Sequence, residues 1–401
     1  MRLNRSLAIA VLIIVSICAF NPFAFSKKKD DTAKYIFLFI GDGMGHSQVS
    51  AAESYLSYKA GKLGGEQVTF TQFPVHGSAT SHSANKRVTD SSAAGTAIST
   101  GVKTNNAMLG MDPDGNKLVS MSYDLQEKGY NVGVISSVPV NHATPASFYA
   151  RNASRYTYYD ITLEIPDSGF DYFAGSGMIE YFGKKKDKES IAEAIERNGV
   201  NVCFSKEEAA EAIKNGDRML VCQPYNKEVE PSNYEAGGNI PEGHILLSEM
   251  LEMGMQRLGT DKPFFIMCEG GEIDWAAHAN KTMPMVNAVL EFDKAIALAY
   301  EFYLANPKET LIVVTADHGT GGIAMNSQPE WDEMEEGWAN AGHNLDGDQN
   351  KKLNKKCNIA WTTSGHTGEP VPVYAIGKGA ERFAGRMDNT EFKAKIWGKS
   401  S

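Results

Sequence analysis

Four continuous apolar runs, each of strand length, recur along the chain. They cover residues 35–40, 131–136, 263–268 and 310–315. A run that is apolar at consecutive positions is typical of a strand buried on both faces of a sheet. Helical patterns lie between the runs, at residues 91–100, with Gly101 as a stop signal, and at residues 244–258. This alternation predicts an α/β fold, a three-layer α/β/α sandwich around a largely parallel central sheet.

Two segments differ from this pattern. Residues 156–242 are rich in charge and include a lysine run at 184–188, which we interpret as a solvated face. We expect an inserted, cap-like region here that covers the entrance to the site. Residues 328–356 predict a polar loop, in which Asp346-Gly347-Asp348 favours a turn over a calcium site because the other ligands of a calcium loop are missing.

The N-terminus predicts export. Residues 1–26 combine two arginines, a short apolar run and a small-residue end, as a secretory signal peptide does. The alternative is an uncleaved membrane anchor. Residues 27–32 are expected to be a linker and residues 33–401 the catalytic domain, which would be periplasmic or secreted without a stable membrane span. The net charge of −10 disfavours binding to nucleic acid or to anionic membranes.

Four cysteines follow the predicted leader. Export permits disulfides, and Cys203 and Cys222 border two short strand patterns that could be neighbours. A disulfide between them and two free thiols both remain open. Cys268 ends an apolar run and is expected to fill the core.

Acidic residues and histidines follow the apolar runs. Asp42 comes after the first run, Glu269 ends the third, and Asp317-His318 follow the fourth. In parallel sheets, ligands bind beyond the carboxyl ends of the strands. Burying several carboxylates there without a cation would be costly, so the sequence predicts metal ions at this edge.

Further donors extend this set. Asp274 and His278 are four residues apart and share one face if residues 273–280 are helical. His366 lies in a Gly/Ser/Thr loop, and Ser91 begins a predicted helix. Nitrogen and carboxylate ligands without cysteine suit zinc, and an all-oxygen site suits magnesium. Two such cations could hold the attacking and leaving oxygens of a phosphoryl displacement and make the Ser91 hydroxyl a nucleophile.

These motifs resemble the alkaline phosphatase family. They are Gly-Asp-Gly-Met-Gly, Val-Thr-Asp-Ser, Glu-Gly-x-x-Ile-Asp with a histidine four residues later, Thr-Ala-Asp-His and His-Thr-Gly. The resemblance runs from about residue 35 to residue 377. It implies an exported phosphomonoesterase that acts on small phosphate monoesters through a phosphoserine intermediate, with two zinc ions and a third metal, normally magnesium. It also implies a homodimer.

The resemblance assigns the metal ligands residue by residue. One zinc would be held by Asp274, His278 and His366, the second by Asp42, Asp317 and His318, and the third metal by Asp42, Thr144 and Glu269.

The resemblance also assigns the residues that meet the substrate. Ser91 matches the phosphorylated serine, with Ser92 as its neighbouring rival. Arg155 matches the arginine that clamps two phosphate oxygens, with Arg151 as the alternative.

Two positions depart from the best-known bacterial pattern. His142 stands where some members have aspartate, so zinc or cobalt could replace magnesium at the third site. Trp275 stands where some members have lysine. The tryptophan removes a positive charge that could hold phosphate, so we expect faster product release. We expect both side chains near the substrate.

Other activities remain open at this point. A phosphodiesterase or phosphonate hydrolase could use the same metal core. A noncatalytic protein that binds metal or phosphate is the alternative from a different class.

Overall fold

A computed structural model describes residues 31–223 and 243–398 of the chain. The predicted signal peptide, residues 1–26, lies outside the described residues, as does most of the predicted linker. Within the two described ranges, no helix has both the length and the apolar character needed to cross a bilayer.

The domain is built on a ten-stranded sheet with the order β14-β2-β13-β8-β1-β7-β3-β4-β6-β5. Its strands are β1 (Tyr35–Gly41), β2 (Val75–Thr80), β3 (Asn131–Ser136), β4 (Tyr172–Gly175), β5 (Asn201–Cys203), β6 (Met219–Cys222), β7 (Phe264–Gly270), β8 (Thr310–Ala316), β13 (Val371–Gly377) and β14 (Gly385–Asp388). Two small sheets pair β9 (Gly319–Thr320) with β12 (His366–Thr367), and β10 (Ile323–Met325) with β11 (Ile359–Trp361). Only β13 runs antiparallel to its neighbours in the large sheet.

Helices cover this sheet and connect its strands. The longer ones are α1 (His46–Lys59), α2 (Ser91–Thr100), α3 (Met121–Glu127), α8 (Lys206–Asn215), α9 (Leu247–Leu258), α10 (Glu272–His278), α11 (Thr282–Ala305), α12 (Trp331–Asn340) and α13 (Gly347–Lys356). The shorter ones are α4 (Ala143–Ala146), α5 (Tyr158–Thr162), α6 (Glu164–Ser168), α7 (Ile191–Glu196) and α14 (Phe392–Ile396). Short 3₁₀ turns occupy Thr69–Gln72, Ala380–Phe383 and Asn389–Glu391.

The centre of the sheet confirms the predicted α/β architecture. Every residue of β1, β7 and β8 is buried, so both faces of these strands are covered. The register pairs Gly41 with both Gly270 and Ala316, and Ser136 with Glu269. The carboxyl ends of four neighbouring strands therefore lie side by side, which brings the acidic residues that follow them to one edge.

Three strands of the predicted insertion, residues 156–242, belong to the central sheet. Over the described part of this segment, β4, β5 and β6 extend the sheet beyond β3. Part of the segment's charge lies on a connecting helix: α8 carries Glu207, Glu208 and Lys214, and only Ala209 and Ala212 of that helix are buried. The sequence did not predict that the segment joins the sheet, because its short strands contribute few apolar residues to its composition. The cap over the site entrance stays a prediction.

The polar loop expected at residues 328–356 is also wrong, because α12 and α13 fill most of it. Helix α12 buries Trp331, Met334 and Trp338 on one face. Asp346 caps α13 through hydrogen bonds from the backbone N–H groups of Asp348 and Gln349. The acidic triplet therefore begins a helix.

Among the described residues no disulfide forms, and Cys203, Cys222, Cys268 and Cys357 are all buried. Strands β5 and β6 are parallel neighbours, as the possible disulfide required, but Cys203 lies opposite Val221 in their register. Successive side chains of a strand point to opposite faces, so Cys222 faces away from Cys203. Cys268 lies in the buried strand β7, as predicted.

Candidate metal and phosphate site

Asp42 lies in a tight turn directly after β1. Gly43 has φ of +68°, and a Cβ atom there would lie 2.8 Å from both Asp274 Oδ1 and Thr320 Oγ1. The Gly43 N–H donates to Asp317 Oδ1 at 3.1 Å. Glycine is therefore required here both for the backbone conformation and for the close approach of three chain segments.

Ser91 begins helix α2 at the same edge of the sheet. Asp90 caps this helix by accepting from the Ala93 N–H at 3.1 Å. The Ser91 Oγ lies 3.2 Å from His318 Nε2. Ser92 instead donates to Asp90 Oδ2 at 2.9 Å. Of the two neighbouring serines, Ser91 faces the histidines and carboxylates.

Asp274, His278 and His366 form the first of three groups whose ligand atoms lie within 4.8 Å of one another. Asp274 and His278 share one face of α10, and Asp274 Oδ2 is 3.3 Å from His278 Nε2. The two histidine Nε2 atoms are only 3.1 Å apart. Their Nδ1 atoms contact backbone carbonyls, 2.6 Å away at Ser364 and 2.8 Å away at Thr89, which leaves both Nε2 atoms directed at one point.

Asp42, Asp317 and His318 form the second group. His318 Nε2 lies 3.4 Å from Asp42 Oδ1 and 3.3 Å from Asp317 Oδ2, and all three side chains are fully buried. Asp42, His142 and Glu269 form the third group. Asp42 belongs to both groups, and Thr144 donates to its Oδ2 at 3.3 Å.

Burial is the main cause of the shifted pKa values of these carboxylates. Burial raises the pKa of Asp42 well above its usual range, that of Glu269 to about 8 and that of Asp317 to about 7, with neighbouring carboxylates adding to the effect. Burial also lowers the pKa of His318 to about 4, so this imidazole is neutral at physiological pH.

The donor set fits divalent cations. Among the described residues, buried oxygens that accept no hydrogen bond include Asp42 Oδ1, Glu269 Oε1 and Asp317 Oδ2. Isolated buried carboxylate oxygens are costly, and a cation would remove that cost. Imidazole nitrogens with carboxylates suit zinc, and the oxygen-rich surroundings of Glu269 and Thr144 suit a harder ion.

Arg155 lies beside the N-terminal end of α2, where it contacts the capping Asp90. It is 8 % exposed, with Nη1 donating to Asp90 Oδ2 at 3.2 Å and Nη2 3.1 Å from His142 Nε2. The ring of His142 packs against the ring of Trp275, with 5.6 Å between centroids. The rival Arg151 donates instead to the Leu118 carbonyl at 2.7 Å. Arg155, His142 and Trp275 thus lie together beside the site.

Two residues at the site escaped the sequence analysis. Ser136 donates a short hydrogen bond to Glu269 Oε2. Thr320 donates to Asp274 Oδ1 at 2.5 Å and lies 3.2 Å from His318 Nδ1. Position in the sequence was the one feature that could have pointed to them, since Ser136 ends an apolar run and Thr320 lies two residues after His318.

Comparison with known proteins identifies the family. The alkaline phosphatase family model matches residues 33–192, 241–340 and 326–398. Alkaline phosphatase 3 of Bacillus subtilis is 30% identical over 429 residues, covering 92% of this chain and 90% of the relative.

Solved structures agree with this comparison. The alkaline phosphatase of the Antarctic bacterium TAB5 has a TM-score of 0.72 at 29% identity, covering 92% of this chain and 98% of that one. A mutant of that enzyme with Mg bound in the M3 site has a TM-score of 0.75 at 29% identity, covering 92% and 97% of the two chains. With its buried ligand groups at the carboxyl edge of the sheet, the chain belongs to the alkaline phosphatase family, an enzyme family of phosphoric monoester hydrolases.

Proposed function

We propose that the protein is an exported alkaline phosphatase that hydrolyses small phosphate monoesters through a phosphoserine on Ser91. One observation carries the proposal: the Ser91 Oγ lies 3.2 Å from His318 Nε2, against the groups of potential metal ligands. A hydroxyl that begins a helix is also close to unpaired backbone N–H groups, which favour a developing anion.

Ser91 would act as the nucleophile. Its Oγ gives up its proton to solvent and forms a bond to phosphorus while the bond from phosphorus to the leaving oxygen breaks, and the leaving oxygen takes up a proton from solvent and departs as the alcohol. Water then attacks the phosphorus of the phosphoserine, which releases inorganic phosphate and returns the Ser91 hydroxyl. Divalent cations would supply the electrostatic part of this chemistry, by lowering the pKa of the serine hydroxyl and neutralising charge on the phosphate oxygens.

Arg155 would orient the phosphate. A planar guanidinium can donate to two phosphate oxygens, and the Asp90 contact at 3.2 Å holds this side chain beside Ser91. His142 and Trp275 would border the bound ester on the same side.

The proposed cofactors are two zinc ions and one magnesium ion. Asp274, His278 and His366 would hold the first zinc. Asp42 with Asp317 and His318 would hold the second. Elemental analysis of the purified protein tests this assignment.

The third metal would be held by Asp42, Thr144 and Glu269. The His142 imidazole lies in the same group as Asp42 and Glu269. Because an imidazole nitrogen is a better ligand for zinc or cobalt than for magnesium, either metal is the alternative to magnesium at this site. Elemental analysis after loading with each metal in turn distinguishes them.

Export to the periplasm or medium, removal of residues 1–26 and assembly into a homodimer complete the proposal. N-terminal sequencing of the exported protein and its mass in solution test these three points. No affinity for nucleic acid is expected from the net charge of −10.

The central experiment compares hydrolysis by Ser91→Ala and Ser92→Ala variants. With an aryl phosphate at alkaline pH, we expect Ser91→Ala to lose roughly a thousandfold or more of kcat. Ser92→Ala should lose far less, because this hydroxyl contacts Asp90 and not the histidines. A monoester should be cleaved faster than the matching diester. Undiminished turnover by Ser91→Ala would contradict the proposal.

A further inference from the structure

We infer that the Thr320 hydroxyl is a positioning group shared by both zinc-ligand groups, and that it contributes to the affinity of both groups for metal. Thr320 is fully buried. Its Oγ1 is 2.5 Å from Asp274 Oδ1 and 3.2 Å from His318 Nδ1. Asp274 belongs to the group with His278 and His366, whereas His318 belongs to the group with Asp42. The inference rests on the proposed metal occupancy of these groups.

The number of protons fixes the direction of the two hydrogen bonds. A hydroxyl has one proton to donate, and an ionised carboxylate can only accept. The Thr320 proton therefore goes to Asp274 Oδ1, and His318 Nδ1 must carry the proton that Thr320 Oγ1 accepts. In the neutral imidazole, this leaves Nε2 with an unprotonated lone pair.

That tautomer suits a metal ligand. His318 Nε2 lies 3.3 Å from Asp317 Oδ2 and 3.4 Å from Asp42 Oδ1. A lone pair facing two carboxylates is repulsive unless a cation lies between them. Thr320, together with the Gly319 carbonyl 3.3 Å from His318 Nδ1, therefore presents His318 to a cation in the form that binds it, as groups behind a ligating histidine commonly do.

The backbone of Thr320 is itself held in place. Its N–H donates to the Gly43 carbonyl at 3.1 Å, and its carbonyl accepts from Gln48 Nε2 at 2.6 Å. A Cβ atom at Gly43 would meet Thr320 Oγ1 at 2.8 Å. The hydroxyl is thus fixed against the turn that carries Asp42, so a change at Thr320 reaches the ligands of both groups.

The experiment measures zinc affinity. The purified full chain is stripped with a chelator, and Zn²⁺ alone is titrated in competition with a chromophoric chelator at constant pH. Thr320→Val removes the hydroxyl at nearly constant volume, and Thr320→Ser keeps it. Thr310→Val is the matched control, because Thr310 is a buried threonine at the end of β8 away from the site, and its hydroxyl donates to the Asn306 carbonyl.

We expect Thr320→Val to weaken both of the two tightest zinc sites by roughly 10–100-fold. Thr320→Ser should bind within a few-fold of the wild type, and Thr310→Val should bind like the wild type even if its melting temperature falls. Wild-type affinity in Thr320→Val, a loss at only one site, or an equal loss in Thr310→Val would overturn the inference.

The outcomes also separate this inference from the proposed function. A wild-type protein that binds two zinc ions and shows the Thr320 effect, but hydrolyses no phosphate ester, would support the inference and contradict the proposed function. Active wild-type enzyme with unaltered zinc binding in Thr320→Val would contradict the inference alone.

Discussion

Removal of metal should make the stability of this protein strongly dependent on pH. Glu269 and Asp317 are fully buried, with pKa values raised to about 8 and about 7, mainly by burial. Burial raises the pKa of Asp42 further above its usual range. In the loaded protein, cations would keep these carboxylates ionised. In the stripped protein, each must bind a proton or remain as an uncompensated charge.

The direction of this pH dependence follows from the number of protons bound in the folded and unfolded states. Carboxyl groups with raised pKa values keep their protons in the folded state when they have already lost them in the unfolded chain. Raising the pH therefore favours the unfolded state, from about pH 4 until the folded pKa is passed. Buried histidines oppose this trend below about pH 6.5, because the pKa values of His318 and His366 are lowered to about 4. Above that pH the carboxyl effect remains, and His278 acts in the same direction because its contact with Asp274 raises its pKa.

The size of the stability loss in the stripped protein can be bounded. An excess of about one to two protons in the folded state gives a slope of about 1.4–3 kcal/mol per pH unit. Between pH 6.5 and 8, the stripped protein should thus lose about 2–4 kcal/mol, a large part of an ordinary folding stability of about 5–15 kcal/mol.

Urea unfolding at several pH values, with and without metal, measures this slope. The loaded protein should show little change over the same range. Asp317→Asn should flatten the slope of the stripped protein, because one titrating group is removed. Stability that stays constant or rises with pH in the stripped wild type would refute the reasoning.

Two further predictions concern single residues at the site. Arg155→Ala should lower kcat/KM for an aryl phosphate by roughly 10–100-fold, because charged hydrogen bonds to the phosphate are lost. Arg155→Lys should recover only part of this loss, because lysine lacks the planar guanidinium. Equal activity of the wild type and Arg155→Lys would contradict a bidentate contact. Gly43→Ala should reduce both the zinc content and the melting temperature, because φ is +68° and the new Cβ would lie 2.8 Å from Asp274 Oδ1. Elemental analysis and a thermal melt measure these effects. An unchanged zinc content would show that the turn can adapt.

Much of the central fold was predictable from local pattern. Helix α2 spans Ser91–Thr100 and ends at Gly101, with φ of +80°, as the sequence predicted. Strand β3 has its predicted bounds, Asn131–Ser136. Continuous apolar runs are informative because a strand covered on both faces has no solvent side, so its burial is visible in the sequence alone.

Other elements could not be predicted from local pattern. The strands of residues 156–222 are short, and α12 buries only one face, so neither leaves a long apolar run. Whether such a segment joins the main sheet depends on pairing with residues far away in sequence, as β4 pairs with β3. Local composition carries no information about that pairing.

By itself, the sequence determined which residue types end the buried strands, and so the chemistry available at the site. Only the tertiary structure showed that Ser91 lies against His318 while Ser92 contacts Asp90. It likewise showed that Arg155 contacts Asp90 and His142 while Arg151 contacts the Leu118 carbonyl. Both distinctions depend on the direction of side chains within one turn of chain. The tertiary structure alone revealed that the hydroxyl of Thr320 joins two ligand groups. A short polar side chain has no distinctive pattern in sequence, and the contact of Thr320 with Asp274 forms only when segments 46 residues apart meet in space.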